Sequence, residues 1–173
     1  MKGNELIVLT KSVSETQKLA EGLAQFLQAG DVISLTGDLG AGKTCFVKGL
    51  AHGLRINMKI TSPTFALIKE YMSLSNLPFY HFDVYRLKSL QEMLDIGYEE
   101  YFFGDGITVI EWGDKVAPLL PKDFLEIKFR RLLEENIREI DIIPHGGRWK
   151  KIAKKWLKES RKDCRSGKST SEI

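Results

Sequence analysis

Cysteine is scarce in this chain: two residues in 173, Cys45 and Cys164, too few and too differently placed for a disulfide framework or a cysteine metal site. A reducing compartment fits that usage. The three histidines, His52, His81 and His145, stand far apart without metal-ligand spacing, which argues against zinc. No apolar run approaches the roughly 18 residues a membrane span needs. The amino-terminal Met1-Lys2-Gly3-Asn4 has none of the apolar stretch of a secretory signal. A cytoplasmic protein without a membrane segment is the expectation. Nor is there an internal repeat.

What is present begins with a core. The length fits one domain, 43% of the residues are hydrophobic, and a chain of this size buries roughly 68–70% of its unfolded surface. The net charge of +3 hides an asymmetry. Residues 1–145 carry 16 Lys+Arg against 20 Asp+Glu, whereas residues 146–173 carry 10 against 3. A mildly acidic body with a strongly basic tail fits a tail that meets nucleic acid or an acidic partner, and equally a solvated helix face.

One stretch is dense with chemistry. Gly37, Asp38, Leu39, Gly40, Ala41, Gly42, Lys43 and Thr44 match the phosphate-loop pattern G-x-x-x-x-G-K-[ST] at every fixed position. Before it, Val32-Ile33-Ser34-Leu35 is short, β-rich and apolar; after it, Phe46, Val47, Leu50 and Leu54 recur at helical spacing. Strand, loop and helix in that order are the context the motif needs. The glycines let backbone N–H groups point at a phosphate, Lys43 reaches the outer phosphates, the Thr44 hydroxyl can ligate Mg²⁺, and the helix N-terminus adds partial positive charge. The alternative, a glycine-rich turn with a solvated lysine, leaves the flanking strand and helix unexplained.

Along the rest of the chain, residues 5–9 read as a strand, and Ser14-x-x-Gln17 as a capping box that starts a helix through Leu19, Leu23, Phe26 and Leu27. Two strand-like runs, 65–71 and 79–85, flank a Ser, Asn and Pro cluster and suggest a hairpin. Ser89-x-x-Glu92 caps a short helix that continues after Gly97, Ile107 to Ile110 is a wholly apolar strand, and 124–129 and 137–143 are two more β-like segments. Alternating helices and strands make this an α/β protein. The core closes near Gly146; from Trp149 onward Ile152, Ala153, Trp156 and Leu157 recur at helical spacing among lysines.

A phosphate loop alone only binds. Hydrolysis or transfer also needs an acid beside the metal and a group that orients the nucleophile. Glu111 ends the apolar run 107–110, where phosphate-loop nucleotidases place their metal-side acid, with Glu here in place of the commoner Asp; the bland reading is a solvated strand end. Asp83 shares an extended-chain face with His81 and Tyr85, leaving Phe82 and Val84 on the other. It can hold a metal-bound water, orient the attacking one, or simply pair with Arg86. Thr64, in Ser62-Pro63-Thr64-Phe65, stands where nucleotide switches place a hydroxyl that senses the terminal phosphate, or is an ordinary turn threonine. His81 reads as a strand residue satisfied by hydrogen bonds rather than as a general base. Arg86 stabilises phosphate charge or faces a partner, and Arg130 and Arg138 face the nucleotide's base side or carry plain surface charge.

The combination of G-D-L-G-A-G-K-T at 37–44, S-P-T-F at 62–65, H-F-D-V-Y-R-L at 81–87 and I-E-W-G-D at 110–114, in that order, resembles the bacterial TsaE family, also called YjeE, over about residues 5–146. The fold then expected is P-loop NTPase-like: a central, mostly parallel sheet with helices on both faces and an antiparallel portion. Residues 1–146 would be the ATPase domain, 147–162 a basic amphipathic helix and 163–173 a disordered tail. The resemblance implies a weak ATPase that works with TsaD and TsaB in making N6-threonylcarbamoyladenosine on tRNAs reading codons that begin with A. The carbamoyl transfer belongs to TsaD, and ATP turnover resets the partner complex. By motif, residues 37–45 including Cys45 bind ATP, Thr44 and Glu111 hold Mg²⁺, and Asp83, Glu111 and Thr64 serve hydrolysis. Trp112, with Arg86 and Arg138, would contact nucleotide or partner. The family more often has a small polar residue where Cys45 stands; in a helix its side chain points away from the phosphates. The tail reaches tRNA directly or lies on the core. A small-molecule kinase should add an arginine-rich lid, which is missing, and a GTPase the N-K-x-D signature, which occurs nowhere. A nucleotide-binding module without turnover differs only in leaving Asp83 and Glu111 unused.

Overall fold

A computed structural model describes residues 5–132 and 136–166. Its elements are β1 (Leu6–Thr10), α1 (Val13–Ala24), β2 (Val32–Gly37), α2 (Lys43–Gly53), β3 (Ile68–Met72), β4 (Pro78–Asp83), α3 (Gln91–Asp95), α4 (Glu99–Phe102) and β5 (Ile107–Glu111). A 3-10 segment (Gly113–Leu119), β6 (Phe124–Arg131), β7 (Arg138–His145) and α5 (Gly147–Ser166) follow. The strands form one sheet in the order β1-β7-β6-β2-β5-β4-β3. Its centre, β6-β2-β5-β4, is parallel, and the outer pairings are antiparallel. The α/β, P-loop-like expectation therefore holds, with the antiparallel portion at both edges.

Burial explains which strands took the centre. Val32 to Leu35 and all of β5 are buried, as central parallel strands covered on both faces must be, and both read as near-continuous apolar runs. On one face Ile33, Leu35 and Val109 meet Leu19 and Leu23 of α1, Phe46 and Leu50 of α2, and Trp156 of α5. On the other, Val32, Phe82 and Ile110 pack with Met93 of α3, Phe102 of α4 and Val116 of the 3-10 segment. α1 and α2 lie very close, because a Cβ on Gly49 would stand 2.4 Å from the Gln17 carbonyl oxygen. Among the described residues no helix is long and apolar enough to cross a membrane.

Several local expectations shift. The N-cap of α1 is Ser12, not Ser14: the Ser12 hydroxyl accepts the Glu15 N–H at 3.0 Å, and the Glu15 carboxylate reaches back to the Lys11 N–H at 2.7 Å. Ser12-x-x-Glu15 wins because Ser12 has the extended backbone a cap needs. Only half of the Ser89 box forms, with Glu92 accepting from the Lys88 and Ser89 N–H groups. The first hairpin strand begins at Ile68 rather than Phe65, since Ala66 and Leu67 both donate to the Pro63 carbonyl and Leu67 turns left-handed at φ 67°.

The helix after Gly146 runs on to Ser166, past the expected end at 162, so 163–166 are helical; residues 167–173 of the expected tail lie outside the described residues. Its apolar side is core. Trp149 and Trp156 are buried, and the Trp156 Nε1–H donates to the Leu19 carbonyl at 2.9 Å. Arg148 clamps Asp31 through both carboxylate oxygens and also donates to the Phe26 carbonyl.

Candidate active site

Register brings the acids together. β5 lies between β2 and β4, with Glu111 opposite Leu35 on one side and Asp83 on the other. Both acids therefore emerge at the carboxyl ends of parallel strands beside the loop that leaves β2, the usual place for a ligand in an open α/β sheet. Both are buried.

The phosphate loop joins β2 to α2 as its sequence requires. Gly42, the N-cap of α2, has φ 117° and lies 3.0 Å, measured from an ideal Cβ, from the Arg138 Nε, so any side chain there is both strained and crowded. Arg138 reaches in from β7 and donates to the Ala41 carbonyl at 3.2 Å, bracing the back of the loop. Ala41 is buried, whereas Leu39 at the loop's tip is exposed. The Cys45 thiol turns away toward the Val13 carbonyl at 3.5 Å, and burial raises its pKa.

Lys43 is folded back on its own loop, donating to the carbonyls of Gly37 at 2.5 Å and Asp38 at 2.8 Å. Its Nζ also lies 3.7 Å from the centroid of the Trp112 ring. Trp112 holds the left-handed conformation at φ 63°, which is costly for a bulky residue, and its ring leans on Tyr85 at 4.9 Å. Burial pushes the Lys43 amine below its ordinary pKa, against the opposing pull of the Glu111, Asp83, Asp38 and Asp114 carboxylates.

The Thr44 hydroxyl is 2.9 Å from each Glu111 carboxylate oxygen. His81 Nε2 lies 2.8 Å from Oε1 of the same carboxylate, while its buried Nδ1 has no partner among the described residues. Asp83 is held from two sides: Oδ2 accepts from Ser62 at 2.5 Å and Thr64 at 2.7 Å, and Oδ1 accepts the Tyr85 N–H at 3.0 Å. A carboxylate has about four acceptor sites, so one remains for a water or ligand.

Loop, Thr44, Glu111, Asp83, Thr64 and Trp112 thus converge. Arg86 does not join them; its guanidinium stacks 4.4 Å over the exposed Phe65 ring instead of pairing with Asp83. Arg130 is also elsewhere, paired with Glu139 and Asp141. His81, expected to be a hydrogen-bonded strand residue, bonds through Nε2 to Glu111, a partner its sequence did not name. Sequence reasoning missed Ser62, legible only as a second hydroxyl spaced two from Thr64.

The donor set suits a hard cation shared with phosphate. Mg²⁺ prefers oxygen and keeps several waters, binding through one or two carboxylates plus phosphate oxygens, and one hydroxyl with one carboxylate meets that need. Among the described residues no group of three or more His, Cys, Asp or Glu could hold an ion without the nucleotide.

Comparison with known proteins shows the family. Residues 10–140 match the family model of TsaE, threonylcarbamoyl adenosine biosynthesis protein. The tRNA threonylcarbamoyladenosine biosynthesis protein TsaE of Treponema pallidum is 46% identical over 134 residues, covering 78% of this chain and 97% of that protein. Its namesake from Bacillus subtilis is 43% identical over 143 residues, 83% and 88% of the two chains. The crystal structure of Bacillus subtilis YdiB superposes with a TM-score of 0.75 at 36% identity, covering 90% of this chain and 95% of that one. With the family model spanning most of the strands that build the site, this chain belongs to the TsaE family.

Proposed function

We propose that this protein binds ATP with Mg²⁺ in the 37–45 loop and hydrolyses it in support of N6-threonylcarbamoyladenosine modification of tRNAs that read codons beginning with A. Partners in this reading are TsaB and TsaD, whose complex the ATP cycle resets, and the setting is the cytoplasm. The observation that carries it is the Thr44–Glu111 contact, 2.9 Å to both carboxylate oxygens, with Asp83 in register on the next strand. A binding loop needs no second strand to aim acids at it.

Thr44 and Glu111 are the residues that would hold Mg²⁺, which when bound would supply positive charge to offset the negative charge of the phosphates. Lys43 must leave the Gly37 and Asp38 carbonyls and offer its charge to the outer phosphates. His81 fixes which way the Glu111 carboxylate faces. Asp83, pinned by Ser62, Thr64 and the Tyr85 N–H, presents its remaining acceptor site to the attacking water. Thr64 lies in the turn that meets the terminal phosphate, so its bond to Asp83 couples that turn to the acid.

ATP hydrolysis should be measured with Mg²⁺ alone and with a TsaB–TsaD complex, using Glu111→Ala as control. Slow turnover that rises with the complex and vanishes in the variant is expected. Turnover equally fast without the complex, or none in either condition despite tight ATP binding, would sink the reading.

A further inference from the structure

The lysines of α5 sort to one side of the helix. At about 100° per residue, Trp149, Ala153, Trp156 and Leu157 face the core, and Lys150, Lys151, Lys154, Lys155 and Lys158 are all exposed on the opposite side. From Lys150 to Lys158 the row spans about 12 Å of helix. Among the described residues none of the five forms a salt bridge. Lys155 lies 5.3 Å over the Phe26 ring. The helix starts at the far end of the sheet from the phosphate loop: His145 pairs with Phe124 at the start of β6, and Arg148 grips Asp31, just before β2. It also lies outside the 10–140 span of the family model.

We infer that this lysine row is a docking surface for the phosphate backbone of RNA, separate from the nucleotide site. Charge complementarity selects the occupant. A membrane-surface helix must free its apolar face for the lipid, but here that face is locked into the core by Trp149 and Trp156. A protein interface needs a buried aromatic or aliphatic centre, and between these lysines the face offers none. A polyanion needs only a row of cations. The remainder of the chain, 16 basic against 20 acidic residues over 1–145, cannot supply that attraction through its net charge. The choice of RNA among polyanions rests on the proposed role in tRNA modification.

The test is fluorescence anisotropy of an unmodified tRNA transcript with the full chain and with Lys150→Glu/Lys151→Glu/Lys154→Glu, from 50 to 200 mM salt. All three side chains are exposed, so circular dichroism and ATP binding should match in the two proteins. About four phosphate contacts should make affinity fall on the order of 10²-fold across that salt range, and the variant should bind at least tenfold more weakly with a flatter salt slope. No binding at 50 mM salt, or equal binding by a folded variant, overturns the inference. So does a variant that keeps tRNA but loses the TsaB–TsaD complex or anionic vesicles, because the row would then serve another partner. ATP turnover of the same two proteins is a separate readout, so failure of the ATPase reading is seen apart from failure of this one.

Discussion

Asp83 has three of its acceptor sites taken, and the neighbours that take them do different jobs. Its contacts to Ser62 and Thr64 orient it, and orientation matters only when a nucleophile must be aimed. Asp83→Asn should therefore lower kcat by at least 10²-fold while ATP affinity, by calorimetry, stays within a few fold; equal losses in both would place Asp83 in binding instead. Lys43 yields a pH prediction. Its pKa is lowered in the folded protein, so the unfolded chain binds more protons between the depressed value and the ordinary 10.5. Stability without nucleotide must then rise with pH in that window. Urea melts should show Lys43→Met more stable than the parent near neutrality, with the gap closing as pH approaches about 10. A gap independent of pH would mean that the amine's burial costs nothing. Neither acid's partners were legible in sequence. The alternation His81, Phe82, Asp83 announces a polar face, but which strand lies next to it is a matter of pairing across 28 residues of chain, from Asp83 to Glu111.

At the scale of elements, α1 and α2 meet closely at Gly49. Alanine at Gly49 would gain up to about 1 kcal/mol of helix propensity. Its Cβ, however, would sit 2.4 Å from the Gln17 carbonyl oxygen and 2.8 Å from the Ala20 Cβ. Backbone cannot yield as a flexible side chain does, and overpacking costs about 1–3 kcal/mol, so crowding wins. Gly49→Ala should lower Tm by about 2–8 °C, read by calorimetry; an unchanged or raised Tm would show that the helices can part freely. Helix starts show where local reading fails. Both Ser12-x-x-Glu15 and Ser14-x-x-Gln17 satisfy the capping pattern. The end of β1 at Thr10 decides between them, because the chain must turn there, and the buried Thr10–Thr16 hydroxyl contact at 2.8 Å ties that turn to the helix.

The described residues form one sheet with two cores, and α5 closes the larger. Trp156 meets Phe46 edge-on at 6.4 Å and bonds to the backbone of α1. Removing a buried tryptophan costs about 3–5 kcal/mol, a large share of the 5–15 kcal/mol that holds a typical domain together. A chain cut after Gly146 loses Trp149, Trp156 and Leu157 at once and bares the faces they cover. It should aggregate or show no cooperative thermal transition; a soluble, sharply melting 1–146 fragment would make the helix an accessory.

By itself the sequence determined the glycine-rich loop between strand and helix, the apolar central strands, the strand-end positions of the two acids and the amphipathic character of the last helix. Each of these is encoded within a short window, by spacing or by local φ/ψ demand. Tertiary structure decided what depends on distant segments meeting. It placed Glu111 against Thr44 and His81, turned Arg86 onto Phe65 rather than Asp83, set Lys43 on Trp112, and gave α5 a buried side in the main core. The physical reason is that a charge or hydroxyl takes its partner from whatever packing brings within hydrogen-bond reach, and that distance is fixed only when the sheet has chosen its strand order.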